Sequence, residues 1–507
     1  MTRWHVANNA GLRPALFFEL THLSLDPVYR RVQAMAHIFE NPRQIQDQLI
    51  RAIYEVIDTF FTPFVIQEIH CQSKRLSGKT PRERYADFFL TSDQKWQRGA
   101  VRIEQKYAKQ LACLRQLMIC EIRAFDTFLR RLNRDFNKIG LFFFGKPNRI
   151  CHLDFSFSDR HNFQGTVIIV SFCNGNKVVY KPKSAQSDLL LARIFKTVFP
   201  ESKCPCLPRI LPGATYHWAE YIQQSKFNKI NEFKKLYYHF GLLLSVCDML
   251  NYSDGHAENF VVAQNYHFVP IDTETLFTNL SYFATKITTY FDLEFTGLIP
   301  AQDKSVPYQP LLRAKNQLSY FPYMPYIEHD NTDRISFDYR QLLKNKADKS
   351  FPAQRAIPLN KFLPDMISGL QEGYTLIRQK TPDLLVLLKK SNLPARQIIR
   401  PTLYYVWLIS KYLHPANKKF AHFLTENTEN INPEIAAYEK QFIPYGNIPV
   451  FYNRLHSRHL YDRHRQIVVP NYFRHTSYFW IKRKVNSLQN QEFIEQRIKQ
   501  LSLALQG

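Results

Sequence analysis

Apolar residues recur at helical spacing through the first part of the chain. The pattern is clearest in residues 45–61 and 104–136, where apolar positions fall three or four residues apart. Pro63 and Pro81 are expected to mark breaks between these helices. We therefore predict a mainly helical N-terminal region over residues 1–138.

The period changes near residue 139 to one that is typical of strands. Residues 166–181 form two runs rich in Val, Ile and Tyr around Gly175, which predicts a hairpin. A short amphipathic helix is predicted for 187–199, and a further strand for 216–222. We predict a strand-rich lobe over residues 139–225.

A third region, residues 226–507, begins with the clearest helix of the chain, at 232–250, where one face carries an apolar stripe. A polar loop follows, and then two short strands, 260–263 and 266–271, joined by a tight turn. Helical periodicity returns later, at 359–379, 403–412 and 487–505. This order predicts an α+β fold in which a strand-rich part precedes a helical part, as in a two-lobed kinase.

Five polar residues flank the predicted hairpin, and they carry the most specific chemical pattern in the chain. They are Asp254, His256, Asn259, Asp272 and Glu274. In kinases, an Asp orients the attacking hydroxyl, an Asn five residues later binds Mg²⁺, and a second metal-binding Asp comes farther on. Asp254, Asn259 and Asp272 keep this order, which predicts a kinase-type active site. The structural alternative is a capped helix followed by an ordinary hairpin.

Two other positions before the hairpin carry candidate chemistry. Lys181 closes the strand of the 166–181 hairpin and is placed to reach nucleotide phosphates; the alternative is a solvated lysine at a strand end. Asp159 and His161 lie in a polar segment just before that hairpin. They have acid, base or positioning roles if the segment lies over the phosphates or beside the substrate, and are turn residues otherwise.

A basic segment follows the helix at 359–379. Arg396 and Arg400 are four residues apart and share a face if the segment is helical. Paired guanidinium groups suit a phosphate, and Thr402 could donate a hydrogen bond to the same anion. The alternative is a solvated basic turn.

The composition of the chain indicates its cellular compartment and limits the kinds of partner that it can have. The 507 residues include 45% apolar and 14% aromatic residues, and the net charge is +24. This is a globular chain that attracts an anionic partner such as a nucleotide or an acidic peptide. No nucleic-acid motif, membrane-length apolar run or signal-peptide core is visible, so we expect a cytoplasmic protein with no transmembrane segment and no nucleic-acid partner. Only Cys204 and Cys206 are closely spaced among eight cysteines, and no zinc is expected.

Taken together, these pieces resemble the dehydratase domain of class II lanthipeptide synthetases, the LanM family. The matching motifs run in family order from about residue 77 to the C-terminus. They are LSGKTPRERYADFF, RLNRDFNKI, SDRH with GTVIIVSFCNGNKVVYKPKS, YHWAEYI, LYYHFGLLLSVCDMLNYSDGHAENF, FVPIDTETLF, EFTGLIP, RQIIRPT and YGNIPVF.

The resemblance implies a bilobal, lipid-kinase-like core with extra helical elements at both termini. It also implies that the protein uses ATP and Mg²⁺ to phosphorylate Ser or Thr of a precursor peptide. The phosphate is then eliminated to give dehydroalanine or dehydrobutyrine. The phosphorylation motif matches Lys181, Asp254, His256, Asn259, Asp272 and Glu274. The positions tied to elimination and the shared pocket match Asp159, His161, Arg396 and Thr402. Lys181 would bind the nucleotide, and Asn259 and Asp272 would bind the metal ion.

The chain departs from the family in ways that affect its partners. Family members usually continue into a zinc-binding cyclase domain, whereas no cysteine follows Cys247 here. We therefore expect a precursor peptide with a leader as partner and ring closure, if any, by a separate cyclase. The start is short, and Lys183 stands where the family usually has Arg. The alternatives are a kinase-like enzyme for another hydroxyl substrate and an inactive remnant that binds peptide or nucleotide.

Overall fold

The structure is a computed structural model, and it describes residues 12–90, 93–155, 165–280, 292–300, 310–312, 324–340, 357–417, 424 and 431–506. Within these ranges helices combine with antiparallel sheets, which confirms the α+β fold class. The chain divides into two compact units. The first unit comprises Met1–Lys183, Pro322–Leu342 and Arg400–Pro449, and the second comprises Ser184–Phe321, Leu343–Ile399 and Val450–Gly507.

The helices follow the predicted periodicity closely. They are α1 (Leu12–Thr21), α2 (Asp26–Ala34), α3 (Pro42–Gln72), α4 (Pro81–Leu90), α5 (Asp93–Phe144), α6 (Gln186–Val198), α7 (Ile230–Met249), α8 (Leu363–Gln379), α9 (Thr381–Lys389), α10 (Thr402–Leu413), α11 (Pro433–Glu439), α12 (Ser477–Ser487) and α13 (Gln491–Gln506). The break predicted at Pro63 is wrong, because Pro63 is buried inside α3. The helix predicted for 487–505 is confirmed as α13, but it begins at Gln491, because Asn490 accepts a hydrogen bond from the backbone N–H of Glu492 at 2.9 Å and caps the helix there.

The strands form antiparallel pairs. They are β1 (Ile150–Phe155), β2 (Ile168–Phe172), β3 (Lys177–Lys181), β4 (Ile210–Pro212), β5 (His217–Glu220), β6 (Phe260–Ala263), β7 (His267–Pro270), β8 (Met324–Glu328), β9 (Ser336–Arg340), β10 (Pro394–Gln397), β11 (Phe451–Arg454), β12 (Leu460–Tyr461) and β13 (Ile467–Val469). The predicted hairpin of the first unit is confirmed, since β2 and β3 pair through Ile168–Tyr180 and Val170–Val178. Gly175 turns the chain with a positive φ of 83°.

Helix α7 is the central helix of the second unit. Leu236, Phe240 and Leu244 on α7 are fully buried. Its packing against α8 depends on two glycines: a Cβ at Gly241 would lie 2.2 Å from the carbonyl oxygen of Met366, and one at Gly369 would lie 2.0 Å from that of Tyr238. The two backbones therefore touch directly, which only residues without a side chain allow.

A buried cluster of charges fixes the C-terminal end of α7. The Asp248 carboxylate lies 2.7 Å from Nζ of Lys484 on α12 and 3.0 Å from Nε of Arg497 on α13. The hydroxyl of Tyr374 donates to the same carboxylate at 2.7 Å. Nζ of Lys484 also donates to the backbone oxygen of Asp248 and to Oδ1 of Asn251, at 2.5 and 3.2 Å. The C-terminal helices thus hold the residues at which α7 ends.

Of the helices in the described residues, none is both long and apolar enough to cross a bilayer.

Candidate functional site

The hairpin β6–β7 brings together the two polar segments that flank it. Its register pairs Phe260 with Pro270 and Val262 with Phe268. The predicted hairpin is confirmed, but its turn includes Tyr266, and the second strand begins at His267. The ladder continues one step beyond the strands, because the backbone N–H of Ile271 donates to the carbonyl of Asn259 at 2.8 Å. The residues that precede β6 therefore lie alongside those that follow β7.

The first polar segment is folded around Asp254. Nδ2 of Asn259 donates to the backbone oxygen of Asp254 at 2.9 Å and to its carboxylate at 3.2 Å. Nε2 of His256 lies 3.6 Å from that carboxylate and 3.2 Å from Nδ2 of Asn259. Three of the residues predicted from the sequence therefore contact one another.

The backbone of this segment is held from both sides at Gly255. Its N–H donates to the carbonyl of Thr296, and its own carbonyl accepts from the N–H of Leu311, both at 3.0 Å. A Cβ on Gly255 would lie 2.5 Å from the Thr296 oxygen. The loop can take this position only because residue 255 is glycine.

The second polar segment alternates between inward and outward side chains. Thr273 is buried, and its hydroxyl donates to the carboxylate of Asp188 on α6 at 2.9 Å. Asp272 and Glu274 on either side are partly exposed. The Asp272 carboxylate accepts from the backbone N–H of Glu274 at 3.2 Å, so a short turn holds both carboxylates.

Tyr252 links the two segments and was not singled out by the sequence. Its buried hydroxyl lies 2.9 Å from the backbone oxygen of Asp272 and 3.2 Å from that of Asp254. A phenol donor placed between two carbonyls fixes the spacing of the chains that carry them. No sequence motif signals this role, although the residue lies only two positions before Asp254.

Arg396 lies beside the second segment, on strand β10. Its backbone N–H donates to the carbonyl of Glu274 at 2.7 Å, and its guanidinium forms an ion pair with the Glu274 carboxylate. The helical arrangement considered for Arg396 and Arg400 is wrong, because β10 pairs with β11 and extends the backbone. Arg400 belongs to the first unit, where its Nε lies 3.0 Å from the Glu439 carboxylate.

The charges of the site shift one another's pKa values. Burial raises the pKa of Asp254, and the nearby carboxylates of Asp272 and Glu274 raise it further, while His256 and Arg396 act in the opposite direction. Burial opposes the charge on Arg396, but the surrounding carboxylates raise its pKa above the ordinary value. A protonatable carboxylate and a permanently charged guanidinium thus occupy one site.

Four further residues were predicted from the sequence: Lys181, Thr402, Asp159 and His161. Lys181 is the buried last residue of β3, and Thr402 is the first residue of α10; both belong to the first unit. Asp159 and His161 lie outside the residues that the structure describes. Their predicted roles stay predictions.

The polar side chains of this site suit a magnesium ion whose remaining ligands are water or phosphate oxygens. All three side-chain contacts of the Asn259 amide use Nδ2, so Oδ1 is the atom that would meet a cation. Among the described residues no group of three or more His, Cys, Asp or Glu is arranged to hold a metal ion. Mg²⁺ does not require one, since one or two protein oxygens together with substrate phosphates are its usual ligands.

Comparison with known proteins places this site in a family. A family model described as a domain of unknown function (DUF4135) matches residues 108–454. The chain belongs to that family, and its resemblance to the dehydratase domain of class II lanthipeptide synthetases is confirmed.

One curated relative is the lacticin 481/lactococcin biosynthesis protein LcnDR2 of Lactococcus lactis subsp. lactis. It is 24% identical to this chain over 422 residues, which cover 74% of the chain and 44% of the relative. The chain therefore spans less than half the length of that relative.

Proposed function

We propose that the protein is a lanthipeptide-type dehydratase that phosphorylates Ser or Thr of a precursor peptide with ATP and then eliminates the phosphate. The observation that carries the proposal is the convergence of Asp254, Asn259, Asp272 and the Arg396–Glu274 pair at one end of the β6–β7 hairpin. The relative named for lacticin 481 and lactococcin biosynthesis supports a peptide as the substrate. A precursor peptide with a leader and a separate cyclase are the partners of this proposal.

In the phosphorylation step, Asp254 accepts the proton of the substrate hydroxyl and aims its oxygen at the phosphoryl group. His256 and Asn259 hold the Asp254 segment in place through the contacts described above. Asn259 and Asp272 would hold Mg²⁺, which neutralises charge on the phosphates of ATP. Lys181 binds those phosphates, as the strand-borne lysine does in kinases.

In the elimination step, the chain stabilises the departing phosphate while a base removes the Cα proton. Arg396 supplies a positive charge that is already oriented by Glu274. Thr402 donates a hydrogen bond to the same anion, and Asp159 or His161 moves the proton. Use of one site for both steps keeps the phosphopeptide close to its second catalyst.

The test is mass spectrometry of the peptide encoded beside this gene, after incubation with the protein and Mg-ATP. Loss of water supports the proposal, whereas stable addition of phosphate indicates a kinase for a hydroxyl substrate. Absence of both products and of ATP turnover indicates a binding protein without activity. The peptide alone and the protein without Mg²⁺ are the controls.

The elimination assignment has its own test. Arg396→Met is expected to accumulate phosphopeptide, because phosphate departure loses its cation; a loss of about 10²-fold or more in elimination is typical for one such group. The matched control is Arg193→Met on the exposed face of α6. Fully dehydrated peptide from Arg396→Met, with no phosphopeptide, contradicts the role of Arg396.

A further inference from the structure

Three exposed arginines lie around His475, near the start of α12: Arg458, Arg474 and Arg483. We call the surface formed by these three arginines, His475 and Phe479 the arginine surface. The backbone N–H of Phe473 donates to the carbonyl of Arg458 at 2.9 Å. Arg474 follows Phe473 directly, so Arg458 and Arg474 are neighbours. The ring of Phe479 stacks on that of His475 at 4.2 Å. Arg483 follows Phe479 by four residues, and therefore lies one helical turn beyond it.

The arginine surface presents three guanidinium groups to solvent. Arg458, Arg474 and Arg483 have exposed side chains. No ion pair involves Arg458 or Arg474 among the described residues, and Arg458 donates only to the neutral side chain of Asn471, at 3.0 Å. Burial of the His475 ring and these three arginines all lower the pKa of His475. The imidazole is therefore neutral near pH 7, and the guanidinium groups of Arg458 and Arg474 can attract an external anion.

The arginine surface is connected to the strand that carries Arg396. Nδ2 of Asn279 donates to the backbone oxygen of His475 at 3.0 Å. The backbone N–H and carbonyl of Asn279 are both bonded to the side-chain amide of Gln397, at 3.0 and 3.1 Å. Gln397 follows Arg396 directly on β10. A single buried residue, Asn279, therefore links the arginine surface to the strand that carries Arg396.

We propose that the arginine surface binds an acidic segment of the peptide substrate outside the residue that is modified. The proposal rests on the proposed peptide-modifying function and adds the site and chemistry of substrate docking. Guanidinium groups form paired hydrogen bonds with carboxylates. Phe479, which is 42% exposed, offers an apolar contact beside them. Single-stranded nucleic acid fits less well, because it needs successive free rings for stacking, and the one exposed ring here is already stacked on His475.

The test is fluorescence anisotropy with a labelled synthetic peptide of alternating glutamate and alanine, without ATP. The double variant Arg458→Glu/Arg474→Glu is expected to weaken binding about 100-fold, since two charge-assisted contacts are lost and each is worth roughly a factor of ten. Lys499→Glu, an equivalent change at an exposed position of α13, is expected to weaken it less than about threefold. Circular dichroism verifies that each variant is folded.

Three outcomes overturn this inference. The unmodified protein does not bind the acidic peptide, or Lys499→Glu weakens binding as much, per charge changed, as the double variant does. The third outcome is that single-stranded RNA binds more strongly than the acidic peptide and depends on the same arginines. The dehydration assay distinguishes this failure from failure of the proposed function. If water is lost from peptides but acidic peptide binding ignores Arg458 and Arg474, only the docking site is wrong. If no peptide loses water, the proposed function fails whatever the binding result.

Discussion

A carboxylate that accepts a proton must be ionised to do so, and Asp254 has a raised pKa. We expect the rate of phosphorylation to fall as the pH decreases. Because the pKa of Asp254 is raised, this fall should occur at a higher pH than it would for an ordinary aspartate. Arg396 lowers the pKa of Asp254, so Arg396→Met is expected to move this acidic limb to still higher pH. Release of ADP measured across pH follows the phosphorylation step, and Arg193→Met is the control. An acidic limb that stays in place, or moves to lower pH, contradicts the coupling.

The hydroxyl of Tyr252 contacts the backbone of both segments of the site. Tyr252→Phe keeps the ring and removes the hydroxyl that bonds to the Asp254 and Asp272 carbonyls. One buried hydrogen bond is worth about 0.5–1.5 kcal/mol, so a decrease in kcat of roughly three- to tenfold is expected, together with a higher Mg²⁺ concentration for half-maximal activity.

Tyr237→Phe is the matched control for this position, since Tyr237 is also buried and lies on α7. Both variants should keep the unfolding temperature of the parent protein to within a few degrees. An unchanged Mg²⁺ dependence in Tyr252→Phe would show that the hydroxyl does not position the segment that is proposed to bind the metal ion.

At the same scale, the sequence reveals the residues that are proposed to carry out the chemistry better than those that position them. Asp254, Asn259 and Asp272 are recognisable because their types and order match a reaction. Tyr252 acts on backbone carbonyls, which every residue possesses, so nothing in its neighbours marks it. The same holds for Gly255, whose requirement comes from the distant carbonyl of Thr296.

Among the elements, those formed by local contacts were predictable and those formed by distant ones were not. The β6–β7 hairpin has a short turn at residues 264–266 and β-rich flanks, and its prediction is confirmed. Strand β10 has the sequence Pro-Ala-Arg-Gln, which has no β-branched residue, and it exists because β11 pairs with it far along the chain. The position of β10 also determines the direction of the backbone N–H of Arg396, which donates to the carbonyl of Glu274.

The link between α12 and the end of α7 gives an element-scale prediction. Burial lowers the pKa of Lys484 to about 8 against the attraction of Asp248, a sign of how costly this buried charge is. Lys484→Met leaves the Asp248 carboxylate with fewer partners, and removal of one member of a buried ion pair typically costs about 3–5 kcal/mol. Unfolding in urea measures the loss.

Lys482→Met, two residues away on the exposed side of α12, is the control and should change stability by less than about 0.5 kcal/mol. Equal effects of the two substitutions would mean that the buried cluster does not stabilise the second unit.

On the scale of the whole molecule, segments far apart in sequence share one compact unit. Arg13 on α1 is buried and contacts Asp58 on α3 at 2.8 Å, Asp330 at 2.7 Å and the Tyr85 hydroxyl at 3.0 Å. Arg84 contacts Asp333 at 2.6 Å. The β8–β9 hairpin therefore belongs with the N-terminal helices. The α+β class could be predicted from periodicity, but this grouping depends on contacts across 317 residues of chain.

This grouping predicts where the damage from a substitution appears. Arg13→Met leaves the carboxylates of Asp58 and Asp330 without their shared cation, and it is expected to raise hydrogen exchange in α1, α3 and β8. Lys484→Met is expected to raise exchange at the end of α7 instead. Mass spectrometry of exchanged peptides distinguishes the two patterns. An identical pattern from both variants contradicts the division into two compact units.

The glycine contact between α7 and α8 has a genetic consequence. An added methyl group at Gly241 or Gly369 collides with main-chain carbonyl oxygens, and no change of a neighbouring side chain can remove a carbonyl. In a selection for restored activity after Gly369→Ala, second-site suppressors near the contact should therefore be rare, and recovered clones should carry glycine again.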